Sequence, residues 1–172
     1  MWAAFKEKWI RATSRPQRIY IFPNRFGLLF IASAIVIILT AATYENNLIY
    51  LLGFFLFAVL MASMVQTHAN LKGLAAEVVD VQDAFLGEPI EVTLRLRNNS
   101  KQARQMIQLA PAGAPRGREK TTAWVVRPQE EKLVAVSLPS YRRGMYSLPR
   151  LIVSTTFPLG LFQSWYYLTS SR

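Results

Sequence analysis

The sequence predicts a membrane α-helical hairpin plus an all-β domain: two transmembrane helices followed by a small immunoglobulin-like β-sandwich. Three observations predict it. Two uncharged apolar blocks stand side by side near the N-terminus, the chain beyond them changes to short alternating runs, and basic residues flank the blocks unequally. The 172 residues are 52% hydrophobic and only 17% charged, and the apolar excess sits in those two blocks. A chain of this length has room for one domain beyond a membrane segment.

Residues 1–25 form a basic leader expected on the cytoplasmic side, where Lys6, Lys8, Arg11, Arg15, Arg18 and Arg25 face a single acid, Glu7. At helical spacing Trp2, Phe5 and Trp9 share one face, and Lys8, Arg11 and Arg15 lie on the other. That pattern suits a segment lying in the headgroup layer, and equally a frayed basic tail. Pro16 and Pro23 punctuate the approach to the first block.

Residues 26–43 (FGLLFIASAIVIILTAAT) carry no charge and as a helix would span roughly 27 Å, close to the thickness of a bilayer core. After a loop of Tyr44-Glu45-Asn46-Asn47, residues 48–65 (LIYLLGFFLFAVLMASMV) repeat the pattern. So short a loop makes 26–65 a tight antiparallel hairpin. Gly27, Ala32, Ala34, Gly53, Ala58 and Ala62 offer small surfaces where two helices approach closely. A secretory signal peptide has a shorter leader and apolar core, with no second apolar block at once behind it. Six Lys/Arg precede the first block, none lies in the loop, and Lys72 follows the second. The positive-inside rule then predicts a cytoplasmic N-terminus and a cytoplasmic C-terminal domain.

Residues 71–172 read as the β-sandwich. Strands are expected at 77–81, 91–97, 105–109, 121–127, 132–138 and 145–154, separated by segments rich in Pro, Gly or charge. In 91–97 (EVTLRLR) Val92, Leu94 and Leu96 point one way while Glu91, Thr93, Arg95 and Arg97 point the other. Val134, Val136 and Leu138 make a second buried face, and Asn98-Asn99-Ser100 is a turn signal. Residues 110–118 (APAGAPRGR) read as an exposed loop.

The residues argue for binding rather than catalysis. Cysteine is absent, which excludes a disulfide framework, a Cys-based zinc site and a thiolate nucleophile. The single histidine, His68, borders the second apolar block, so the β domain holds no Ser-His pair. Glu77, Asp80, Asp83, Glu88 and Glu91 match no EF-hand spacing, and Gly113 and Gly117 lack the context of a phosphate loop. The expectation is a non-enzyme with neither cofactor nor metal.

Net charge is +10, and fourteen of the twenty Lys/Arg lie beyond Gln66 with eight of the ten Asp/Glu. Arg95, Arg97, Lys101 and Arg104 form one basic group, Arg116, Arg118 and Lys120 another, and Arg142-Arg143 a third. A nucleic-acid surface would interleave such groups with exposed aromatics. Here the aromatics gather at the C-terminus instead, so nucleic acid is not the expected partner. Tethering against an anionic leaflet is the simpler account of the charge. The segment Phe157-Pro158-Leu159-Gly160-Leu161-Phe162-Gln163-Ser164-Trp165 either packs on the domain's own core or joins a partner. Arg142, Arg143, Phe162 and Trp165 are the candidate partner-contact residues.

Several motifs in order resemble a bacterial membrane-protein family, the domain of unknown function fifty-eight. They are Pro23-Asn24-Arg25-Phe26-Gly27, Asn46-Asn47-Leu48-Ile49-Tyr50-Leu51-Leu52, Thr67-His68-Ala69-Asn70-Leu71-Lys72-Gly73-Leu74, Arg143-Gly144-Met145-Tyr146 and Phe157-Pro158-Leu159-Gly160-Leu161-Phe162. The resemblance implies a bacterial inner-membrane location and a role beside a MoxR-type AAA+ ATPase in assembling or maturing other proteins. Members usually continue into a von Willebrand factor A-like domain with a metal-binding Asp-x-Ser-x-Ser motif, and this sequence ends before one. The expected function is that of a membrane-anchored scaffold with protein and lipid partners, self-association through the hairpin included. The alternatives are a basic lipid- or nucleic-acid-binding domain held at the membrane, and a truncated form of a longer family member.

Overall fold

A computed structural model describes residues 18–82, 84–85, 87–112, 122–138 and 149–168. Their contacts divide the chain into two units. A hairpin unit takes Ile19–Lys72 with Thr155–Trp165, and a β unit is built on Gly73–Ser154 with Tyr166–Arg172. The basic leader, apart from its last residues, lies outside the described residues.

In the hairpin unit, helix α1 runs Arg25–Tyr44 and helix α2 runs Asn47–Leu71. Both are long and apolar enough to cross a membrane, with mean hydropathies of 2.4 and 2.5. Only Glu45 and Asn46 separate them. Glu45 adopts a left-handed conformation (φ 51°), and the Asn46 side chain caps α2 by accepting from the Leu48 N–H at 2.9 Å. Gly27, Ala34 and Ala41 are buried on α1, and Gly53, Leu60 and Thr67 on α2, each set at a spacing of seven. A seven-residue repeat of mostly small side chains is the signature of closely packed helices with a gentle left-handed twist. A Cβ on Gly53 would stand 2.6 Å from Ile38 Cγ1, so the backbone itself forms part of this contact. Ala32, Ala58 and Ala62, expected at the seam, face outward instead.

Helix α2 continues six residues past Val65, where falling hydropathy predicts an end. The extension persists because its polar side chains have partners. Two further segments complete the unit: strand β1 (Tyr20–Pro23) and the stretch from Thr155 into strand β8 (Phe162–Leu168). β1 pairs antiparallel with β8 in the register Tyr20↔Trp165, Ile21↔Ser164, Phe22↔Gln163, Pro23↔Phe162. No strand is expected from the sequence at either place.

The β unit holds β2 (Leu74–Val81), β3 (Ile90–Asn98), β4 (Arg104–Pro111), β5 (Trp124–Val126), β6 (Glu131–Leu138) and β7 (Leu151–Thr155), with the end of β8. These lie in two antiparallel sheets. One has the order β2-β3-β6, and the other runs β8-β7-β4-β5. Period-two alternation builds the core, as read from the sequence. Val92, Leu94 and Leu96 of β3 and Val134, Val136 and Leu138 of β6 are buried, with Ile107, Leu109, Val126, Leu151 and Val153 from the other sheet. A bulge between Arg104 and Ile107 puts Met106 at φ 50° and turns its side chain outward.

Two side chains pin this unit. Asn98, wholly buried, donates from Nδ2 to the carbonyls of Gln102 (2.8 Å) and Arg127 (2.9 Å), and its Oδ1 accepts from Ser100 N (3.0 Å) and Oγ (2.7 Å). One amide thereby ties the end of β3 to the start of β4 and the end of β5. Tyr166 of β8, also buried, donates its hydroxyl to the Leu74 carbonyl of β2 at 3.1 Å, linking the two sheets. Burial pushes its phenol well above the usual tyrosine range.

Candidate functional site

The base of the hairpin concentrates the chain's polar burial. Ser63, Thr67 and Asn70 recur at helical spacing on one stripe of α2 and are all buried. Against this stripe lie Thr155 and Ser164, also buried. Asn70 Nδ2 donates to Thr155 Oγ1 at 2.8 Å, and Ser164 Oγ donates to the Thr67 carbonyl at 2.9 Å. Thr67 Oγ1 turns back to the Ser63 carbonyl at 2.7 Å. These bonds join residues 85 and 97 positions apart, so the end of α2 is a dock for the returning chain.

The first turn of α1 grips the same segment from its other side. Asn24 donates its backbone N–H to the Leu161 carbonyl at 2.7 Å, and Gly27 lets that carbonyl approach where a Cβ would collide with it. Gly160, at φ 69°, makes the bend, and its N–H returns to the Thr156 carbonyl at 2.8 Å. The Phe157–Pro158 peptide is cis. The bend delivers Leu161 and Phe162 into a cluster with Ala34 and Leu60, flanked by Ile21, Phe30, Ile31, Leu56 and Met64.

The β1–β8 ribbon consequently has two faces. Ile21, Phe162 and Ser164 face the helices. Tyr20, Phe22, Gln163 and Trp165 occupy the opposite face, where the Tyr20 and Trp165 rings stack with centroids 6.0 Å apart. Tyr20 and Phe22 are 47% and 60% exposed. Arg25 places its guanidinium 5.0 Å from the centroid of the exposed Phe26 ring, a cation–π distance.

Of the four candidate contact residues, Phe162 lies in the buried hairpin cluster and Trp165 stands half-buried on the outer face of the ribbon. Arg142 and Arg143 lie outside the described residues, as do Arg116, Arg118 and Lys120. Arg95 and Arg97 project outward from β3, and Arg97 pairs with Glu131 at 3.3 Å. Arg104, expected in the same basic group, is instead buried, and burial lowers its pKa. His68 is exposed on the last turns of α2, and among the described residues no three His, Asp or Glu side chains gather as a metal site.

Sequence reasoning missed the dock altogether. Its signal was the Ser63, Thr67, Asn70 stripe, which keeps helical spacing beyond the apolar block, and the alternation of Tyr20 and Phe22 with Ile21 and Pro23. No family model, curated protein or solved structure matches the chain.

Proposed function

We propose that this chain is a non-enzymatic, inner-membrane-anchored scaffold whose hairpin crosses the bilayer and whose β unit binds a protein partner on the cytoplasmic side. The observation that carries the reading is the surface of the two helices. Leu29, Val36 and Leu39 on α1 and Leu51, Phe54, Phe55 and Val65 on α2 are all more than half exposed. Each such side chain left in water forgoes about 1.5–3 kcal/mol of burial. The exposed hydroxyls of Ser33, Thr40 and Thr43 return to carbonyls one turn back at 2.8–3.0 Å, as an apolar solvent requires.

The cytoplasmic side is supported by five Lys/Arg before α1 and Arg25 at its first position, against none in the tight Glu45-Asn46 turn. Strand order supports an immunoglobulin-like sandwich: the unit's first, second and fifth strands share one sheet, and its third, fourth, sixth and seventh the other. Resemblance to the domain of unknown function fifty-eight family supports a MoxR-type AAA+ ATPase as the partner.

A crosslinked pull-down of the tagged chain from native membranes, washed at moderate salt, tests the partner. A stoichiometric AAA+ ATPase supports the scaffold reading, and recovery of lipid alone sinks it. Orientation has its own test, since a reporter fused after Arg172 that is active only when exported would reverse the topology.

A further inference from the structure

The geometry points to the outer face of the β1–β8 ribbon as a phospholipid-headgroup site, with Tyr20, Phe22 and Trp165 seated in the interfacial layer and Arg25 meeting lipid phosphate. The inference rests on the membrane reading of the helices and goes beyond it. It assigns a binding role to a strand pair rather than to a span.

The ribbon's own pattern is the starting point. A two-stranded ribbon buries one face, and the inner set of Ile21, Phe162 and Ser164 is already used against α1 and α2. Its outer face would be polar if it met water, yet three of its four paired positions are aromatic. Tyr and Trp carry an apolar ring and a polar tip, and they gather where bilayer meets water.

Position supplies the second argument. Phe22 lies two residues before Asn24, which caps α1, and the exposed Phe26 and Leu29 follow within the first turns. Leu159, 59% exposed, stands at the bend whose next carbonyl but one is held by Asn24. The exposed apolar surface of α1 therefore meets the aromatic ribbon at a border marked by Asn24 and the exposed Arg25. Arg25 supplies the cation at that border, its guanidinium over the exposed Phe26 ring, and a guanidinium suits lipid phosphate.

Because the chain has no cysteine, single labels can be placed directly. The full chain would carry NBD at Phe22→Cys, at Leu159→Cys, or at Phe57→Cys in the middle of α2. Each protein is reconstituted in phosphatidylcholine–phosphatidylglycerol vesicles containing nitroxide lipids labelled either in the headgroup or near the chain end. The expected result is that labels at 22 and 159 lose most of their fluorescence to the headgroup nitroxide, while the label at 57 loses most to the chain-end nitroxide. Labels at 22 and 159 quenched by a water-soluble collider and by neither lipid, with 57 still in the acyl core, would overturn the inference and leave the anchor standing. A label at 57 that meets no lipid would overturn both.

Discussion

Substituting Gly27 by alanine should loosen the base of the hairpin without removing any of its polar side chains. The new Cβ would fall on the Leu161 carbonyl oxygen, and it would lie 2.9 Å from the carbonyl carbon and 3.3 Å from Pro23 Cβ. The obstacle is backbone, which cannot rotate aside. Overpacking of this kind costs about 1–3 kcal/mol, and displacing the carbonyl weakens its 2.7 Å bond from Asn24, a loss of about 1 kcal/mol. Alanine returns about 1 kcal/mol through helix propensity. The net is about 2 kcal/mol, which opens the ribbon about 30-fold more often. Hydrogen exchange of the full chain in detergent micelles, followed on peptides covering 19–24 and 160–165, reads this directly. Gly53→Ala is the comparator, because its Cβ meets the side chains of Ile38 and Ile37 rather than the ribbon's backbone. Wild-type exchange of the ribbon in Gly27→Ala would refute the close approach of Leu161.

Asn98→Ala should cost the β unit about 2–3 kcal/mol, since it removes the buried amide that donates to the Gln102 and Arg127 carbonyls and accepts from Ser100; a chemical-denaturation midpoint indistinguishable from wild type would count against it. Tyr166→Phe should cost about 1 kcal/mol at neutral pH through the lost bond to Leu74. Because folding raises the Tyr166 pKa, the folded state holds its proton longer than the unfolded state does. That stability is intact below the ordinary tyrosine value of about 10 and declines as pH rises above it. Alkaline melts of wild type should thus fall more steeply than those of Tyr166→Phe, and parallel curves would contradict the assignment. Ser164→Ala should destabilise the hairpin unit by about 1 kcal/mol and speed exchange at the end of α2, with no change at the Glu45-Asn46 turn.

How far the fold can be read from the residues depends on whether one rule governs each element. The helices are governed by hydropathy alone, and β3 and β6 by clean alternation, so Val92, Leu94, Leu96, Val134, Val136 and Leu138 fall where expected. β8 breaks that rule. Its buried set is Phe162, Ser164, Tyr166 and Leu168, and the outward positions carry Trp165 and Tyr167, so apolar character does not alternate. β1 has four residues, one of them proline, and gains strand form only through its pairing with β8. The last turns of α2 look like a polar exit because local hydropathy cannot register Thr155 or Ser164, which arrive from far along the chain. Asn98 is legible as a turn former, but its role as a four-bond junction depends on carbonyls almost thirty residues away. Of the candidate contact residues, the sequence marks Phe162 and Trp165 as needing burial without indicating that they occupy opposite faces of one ribbon.

The long return to the hairpin base also has a consequence in time. A ribosome adds about 5–20 residues per second, so the roughly 90 residues from Lys72 to Phe162 take on the order of ten seconds to make. During that interval α1 and α2 exist without Leu161 and Phe162, and Ile21, Phe30 and Leu60 lack their covering side chains. The Asn24 and Thr67 backbone groups wait equally long for their partners. The hairpin is thus born incomplete, and its closing contacts come from residues translated roughly 90 positions after its own helices.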